Sequence, residues 1–310
     1  MITRWLQRTV LVAVTLLLLG LTVRAVGTQA LLAGWRVFSP LSVLAALAAG
    51  LIVALSQAVR WKVLAAEQQI HLSFRRAWGD CYASAFANML LPGGLGGDVA
   101  RVAVYRHRGR RRWWSPLLAV GAERLSATAC LFIATALVVG ASAGQGEARW
   151  PVAVVAAVAA ALFLAAAIVC LRGVPARRQV IVWSTSALSV LTLIALFLLA
   201  MAHLGGPVHA SVATVGLASM SVPVGVGGWG IREFSVGALA PAMGVPADQA
   251  VTAATGYGLL AVVSTLPGAA VLARGALRRA AQPGYRAPGP RPAFCMVKCP
   301  AGWAADCPST

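Results

Sequence analysis

The chain has 310 residues, 59% of them hydrophobic and only 11% charged, with a mean hydropathy of +0.79. Soluble domains carry about 25% charged and roughly 45 to 50% apolar residues, so this composition excludes a water-soluble globular protein. The 26 Lys and Arg against 8 Asp and Glu give a net charge of +18. The basic residues fall in short clusters between apolar runs, a pattern that fits the positive-inside rule and not a nucleic-acid binder.

In chain order, runs long enough to cross about 30 Å of hydrocarbon at 1.5 Å per residue are predicted at 9–26, 41–59, 115–140, 152–171, 180–202 and 247–273. The first follows Arg4 and Arg8 and has a competing reading as a secretory signal cleaved near Ala30. It is taken as a retained helix because the repeat described below needs it. Two stretches, about 77–105 and 210–240, are apolar half-helices broken by Pro and several Gly. Such breaks leave backbone groups unpaired, which is tolerated at membrane depth only where protein or a water-filled cavity covers them. The fold class is therefore an all-α integral membrane protein with six transmembrane helices plus two re-entrant hairpins, or eight spans if the hairpins cross fully. Trp5, Trp35, Trp61, Trp78, Trp113, Trp114, Trp150 and Trp183 all sit at the ends of proposed segments, as indoles do in the headgroup layer. With the N-terminus inside, Lys and Arg divide 21 to 4 between inner and outer sides, Arg124 lying within a span. Both termini are then cytoplasmic.

The two broken stretches repeat one another. Residues 89–101 read Met-Leu-Leu-Pro-Gly-Gly-Leu-Gly-Gly-Asp-Val-Ala-Arg, and residues 220–232 read Met-Ser-Val-Pro-Val-Gly-Val-Gly-Gly-Trp-Gly-Ile-Arg. Both match M-x-x-P-x-G-x-G-G-x-x-x-R at a constant offset of 131. Each half, 9–140 and 141–273, contains three full crossings. Because three is odd, the second half is inserted upside down, giving an inverted-topology repeat whose Gly-rich tips approach each other near the midplane. The membrane domain covers 1–282, and the Pro-, Gly- and Cys-rich segment 283–310 reads as a disordered cytoplasmic tail.

Ionisable groups within a membrane are costly, and Asp98, Arg101, Glu123, Arg124, Arg232 and Glu233 fall in or beside the spans. Two readings stay open. The charges pair with one another and lock the hairpins against the third span, or they form a binding site. In the second reading, helix N-termini after the Gly-rich breaks offer N–H groups that, with arginine, receive a phosphate or carboxylate. Pro92, Gly94, Gly96, Gly97, Pro223, Gly225, Gly227, Gly228 and Gly230 belong to that site, with close helix packing as the other explanation of the glycines. Asp98 follows Gly97 and also fits a helix cap. Asp98 and Arg101 are three apart and share a helix face, whereas the adjacent Glu123 and Arg124 address different neighbours.

Nothing in the sequence supports a metal enzyme, a dinucleotide site or an ATP-driven pump. His71, His107, His203 and His209 lack ligand spacing, and Cys81, Cys130 and Cys170 lie in apolar segments as small hydrophobes. Cys295, Cys299 and Cys307 lack the short paired spacing of a structural zinc site. Residues 225–230 satisfy G-x-G-x-x-G, but no strand precedes them, and no Walker A sequence is present. The basic run 106–114 reads as a topology anchor or as a patch recruiting anionic lipid. No cofactor, metal or nucleic acid is expected.

The segments Leu91-Pro92-Gly93 through Gly97-Asp98 to Arg101, the pair Glu123-Arg124, and residues 227–230 through Glu233 resemble the lysylphosphatidylglycerol synthase transmembrane-region family, a flippase-like domain. The resemblance covers roughly residues 10–275. It implies a bacterial cytoplasmic (inner) membrane, membrane lipids with anionic phospholipid headgroups as partners, and translocation or handling of an anionic or aminoacylated phospholipid or a related lipid-linked molecule. Asp98, Arg101, Glu123, Arg124 and Glu233 are the residues it carries over. Full-length members add a cytoplasmic domain that makes the aminoacyl lipid from aminoacyl-tRNA. Only some 37 residues follow the last span here, so synthase activity is not implied. The alternatives are a non-transporting accessory subunit for a separately encoded lipid synthase or glycosyltransferase, and a membrane-embedded lipid-modifying enzyme with Glu123 or Glu233 as base.

Overall fold

The computed structural model describes residues 2–106, 114–142, 149–206 and 208–280. His107, most of the basic run 106–114, Cys295, Cys299, Cys307 and the tail 283–310 lie outside the described residues. The chain divides into two units, 1–272 and 273–310. The second is described only over 273–280, the end of the last helix.

Among the described residues there are helices and no strand. Helix α1 (Ile2–Val26) is followed by the short α2 (Thr28–Ala33), a 3-10 turn (Gly34–Val37) and α3 (Pro40–Glu67). The start of α3 is set locally. The Ser42 N–H donates to Ser39 Oγ at 3.2 Å, the Ser39 N–H donates to Ser42 Oγ at 2.9 Å, and Pro40 occupies the first helical position, where its missing N–H is no loss. The first broken stretch forms α4 (Phe74–Leu90) and α5 (Gly96–Tyr105), and α6 (Ser115–Ala141) completes the first half. The chain continues with α7 (Arg149–Cys170), α8 (Ala176–His203), α9 (Ala210–Ser219), α10 (Ile231–Leu239) and α11 (Ala247–Ala280).

Helices α1, α3, α6, α7, α8 and α11 are long and apolar enough to span a membrane, and these are the six spans expected. At 1.5 Å per residue, α5, α9 and α10 reach only about 15 Å, half the hydrocarbon thickness. Large apolar side chains such as Leu16, Leu17, Val155, Leu162 and Leu191 point outward, as a lipid-facing surface requires. Inward contacts use small residues. A side chain at Gly50 of α3 would overlap the Ser264 backbone of α11, and one at Gly268 would overlap the Tyr82 carbonyl of α4.

The two tips touch. Pro92 and Val226 form an isolated antiparallel bridge, and the Gly93 N–H donates to the Gly225 carbonyl at 2.7 Å. Gly227, at φ 57, lies so close to the Met89 carbonyl that a Cβ would overlap it. The shared sequence pattern does not give a shared backbone, however. Gly96 and Gly97 are helical and open α5, whereas Gly227, Gly228 and Gly230 hold left-handed conformations and α10 begins only at Ile231. Arg101 therefore lies in the second turn of its helix and Arg232 in the first.

One interface marker is corrected. Helix α3 runs to Glu67 instead of ending near 59, so Trp61 is interior to it and fully buried, unlike the exposed Trp35, Trp114 and Trp150.

Candidate functional site

The site begins with a glycine. Gly97 has no side chain to hold α5 off α4, and it lies directly against the Ser84 backbone. Ser84 Oγ donates to the Gly97 carbonyl at 3.1 Å, the Gly97 N–H donates to Asn88 Oδ1 at 2.7 Å, and Asn88 Nδ2 donates to Asp98 Oδ2 at 3.1 Å. Asn88 thus caps α5 and holds the Asp98 carboxylate at the positive end of the helix dipole.

Asp98 is the hub. Its Oδ1 accepts from Arg101 Nη2 at 2.9 Å, and its Oδ2 lies 2.5 Å from Arg124 Nη2. Arg101 reaches onward, with Nη1 3.1 Å from Glu123 Oε2 and 3.3 Å from Cys81 Sγ, and its guanidinium stands over the Trp61 ring at 4.7 Å. Two acids and two bases form one chain that fastens α5 to α6. Asp98, Arg101 and Glu123 are buried, and a buried charge is held only by partners of this kind. The Arg124 side chain is 41% exposed, which makes it the open edge of the network.

The second half is built differently. Arg232 and Glu233 are both completely buried and pair with each other, with Arg232 Nε donating to Glu233 Oε1 at 3.0 Å. Glu233 Oε2 accepts from the Gly230 N–H at 2.8 Å, and the Arg232 guanidinium stands 4.9 Å from the centre of the Trp229 ring and 5.5 Å from that of Tyr257. The pair is closed on every side.

Of the sequence-derived site residues, Asp98, Arg101, Glu123 and Arg124 are thus brought together, with Gly96 and Gly97 at the start of the same helix. Arg232 and Glu233 form a separate unit. Pro92, Gly94 and Pro223 lie at the tips with partial or full exposure, while Gly225, Gly227 and Gly230 are buried and Gly228 is half-buried beside them. The N–H groups expected to face an anion are partly taken by the chain itself, by Asn88 at Gly97 and by Glu233 at Gly230. Sequence reasoning missed Asn88, Trp61 and Thr15, whose Oγ1 accepts from the Val226 N–H at 3.1 Å and ties the second tip to α1. Asn88, an amide inside an apolar run, was the one signal available. Two cavities, of about 180 Å³ beside Met201, Gly205 and Asp248 and about 610 Å³ beside His71, Arg76 and Tyr105, are not lined by the charged network.

No curated protein matches the chain. The family model described as "Lysylphosphatidylglycerol synthase TM region" matches residues 8–268, and with that extent of agreement the chain belongs to this family.

Proposed function

We propose that the protein translocates an anionic or aminoacylated phospholipid, or a related lipid-linked molecule, across the cytoplasmic membrane, with both of its own termini on the cytoplasmic side. The observation that carries the reading is the single opening in an otherwise buried charge network, at Arg124. A headgroup leaving water needs a partner that replaces its hydration. Arg124 gives one edge of its guanidinium to Asp98 and keeps other donors for a phosphate, whose geometry the planar fork matches. The touching tips supply broken backbone in the same protein, the arrangement in which transporters place their binding sites.

The test uses purified protein in liposomes with a fluorescent phosphatidylglycerol that dithionite quenches only in the outer leaflet. Faster loss of the inner-leaflet signal than in protein-free vesicles is expected. Arg124→Ala should lower that rate about tenfold or more, since a hydrogen bond to a charged group contributes roughly 1.5 to 3 kcal/mol. Its thermal unfolding should barely move, because this side chain is substantially exposed. No acceleration across several anionic headgroups would overturn the reading in favour of the accessory-subunit role.

A further inference from the structure

Arg60, in the inner part of α3, reads from sequence as one of the cytoplasmic flanking charges. In the fold it is 1% exposed. Its Nη1 donates to Ser189 Oγ of α8 at 3.1 Å, and its Nε has no hydrogen-bond partner. Among the described residues it forms no ion pair with a carboxylate. Glu123 and Arg124 are within its electrostatic reach, and the next residue, Trp61, is the ring beneath Arg101. Arg60 therefore belongs to the charged network without being paired in it. The nearby acid Asp80 is already committed, accepting from the Tyr105 hydroxyl, which in turn accepts from Arg76 Nε at 2.9 Å.

The charge balance follows. Arg101 and Arg124 pair with Asp98 and Glu123, and Arg60 lies within electrostatic range of Glu123, which makes three positive groups against two negative ones. The Nε atoms of all three arginines lack partners. An interior cation without a counter-charge is unfavourable, and this set has one surplus charge, unused donors and one open edge. A ligand that completes it carries a single negative charge and several acceptor oxygens. We propose that this five-residue cluster binds one singly charged phosphate group at its Arg124 edge, with Arg60 as the positioning residue whose unbalanced charge makes the site cationic. The proposal rests on the reading of Arg124 as the headgroup contact and adds a charge requirement to it. The Arg232–Glu233 pair, balanced and sealed, has no such requirement.

Thermal unfolding of the full chain in neutral detergent, titrated with dihexanoyl phosphatidylglycerol or with inorganic phosphate, reads binding apart from transport. A saturable rise in Tm is expected. A response to the lipid alone assigns the phosphate to a headgroup, and an equal response to inorganic phosphate assigns it to the free ion; either upholds the site. Arg60→Gln should weaken the apparent affinity about tenfold, the size expected of one charge removed at short range from a poorly hydrated site, while Arg60→Lys should keep most of it. Ser189→Asp places a carboxylate beside Arg60 and should abolish the response in a folded protein, which decides the matter even where Arg60→Gln fails to fold. A wild-type chain indifferent to both probes, or a lipid response unchanged in folded Arg60→Gln and Ser189→Asp, overturns the proposal. Binding without lipid translocation would overturn the transport reading and leave this site standing.

Discussion

Arg101 is shared by two buried carboxylates, and the consequence for stability is direct. Arg101→Ala leaves Asp98 with only Arg124 and Asn88, and leaves Glu123 without its cation, so a loss of about 3 to 5 kcal/mol is expected in chemical unfolding. Glu123→Gln should cost distinctly less, because Arg101 retains Asp98. Arg232→Ala should be as damaging as Arg101→Ala, and adding Glu233→Gln should recover much of the loss, a coupling that a double-mutant cycle measures. These charged residues were legible in the sequence because each interrupts an apolar background, and the divergence of Glu123 from Arg124 follows from helical spacing. What was not legible is which pair is sealed. Arg101 and Arg232 occupy the same place in a thirteen-residue pattern, but Val102 follows the first and Glu233 the second. That one difference hands Arg232 a partner next to it in the chain and leaves Arg101 to find its partners across helices. Arg60 was hidden in a different way, because its neighbours Lys62, Arg75 and Arg76 make it look like one more flanking charge.

At the level of elements, the glycines divide by what surrounds them. A side chain at Gly97 would meet the Ser84 backbone. Gly97→Ala should therefore push α5 from α4, disturb the Asn88 cap and lower stability by about 1 to 3 kcal/mol. Gly94 has open space around it and only its φ of 63 to defend, so Gly94→Ala should cost about 1 kcal/mol. Comparing the two melting curves checks the distinction, and equal losses would refute it. Proline and glycine told where the helices stop, at Leu90 and Ser219, but not where they restart. The restart depends on tertiary partners. Asn88 allows α5 to begin at Gly96, while contacts with Thr15 and Met89 hold the second tip in left-handed turns as far as Gly230.

For the whole molecule, the six spans were the most readable feature, because each is a long apolar run, and the structure has six helices long and apolar enough to cross a membrane. The charge count behind the orientation needs revision. Removing the buried Arg60 and Arg101 from the inner 21 and the buried Arg232 from the outer four leaves 19 against 3, an even stronger asymmetry. In a cysteine-free background, His71→Cys and Ala176→Cys should be shielded from an impermeant thiol reagent in intact cells, and His203→Cys should label. All three positions are exposed, so a reversed result would reverse the topology and not merely report burial.

The bridge between the tips also sets an order of events during synthesis. Gly93 and Gly225 are 132 positions apart, so the first hairpin leaves the ribosome well before the backbone group that accepts its Gly93 N–H exists. At about 5 to 20 residues per second, that wait is roughly 7 to 26 s. During it, the Pro92 turn must be covered by lipid, insertion machinery or another protein. Met89→Cys, whose side chain packs against a core cluster drawn largely from α8 to α11 in the finished chain, should react with a membrane-permeant thiol reagent in nascent chains arrested after α8 and become protected once the later helices have emerged. The halves of this protein are thus partners that meet late, and the earlier one is born incomplete.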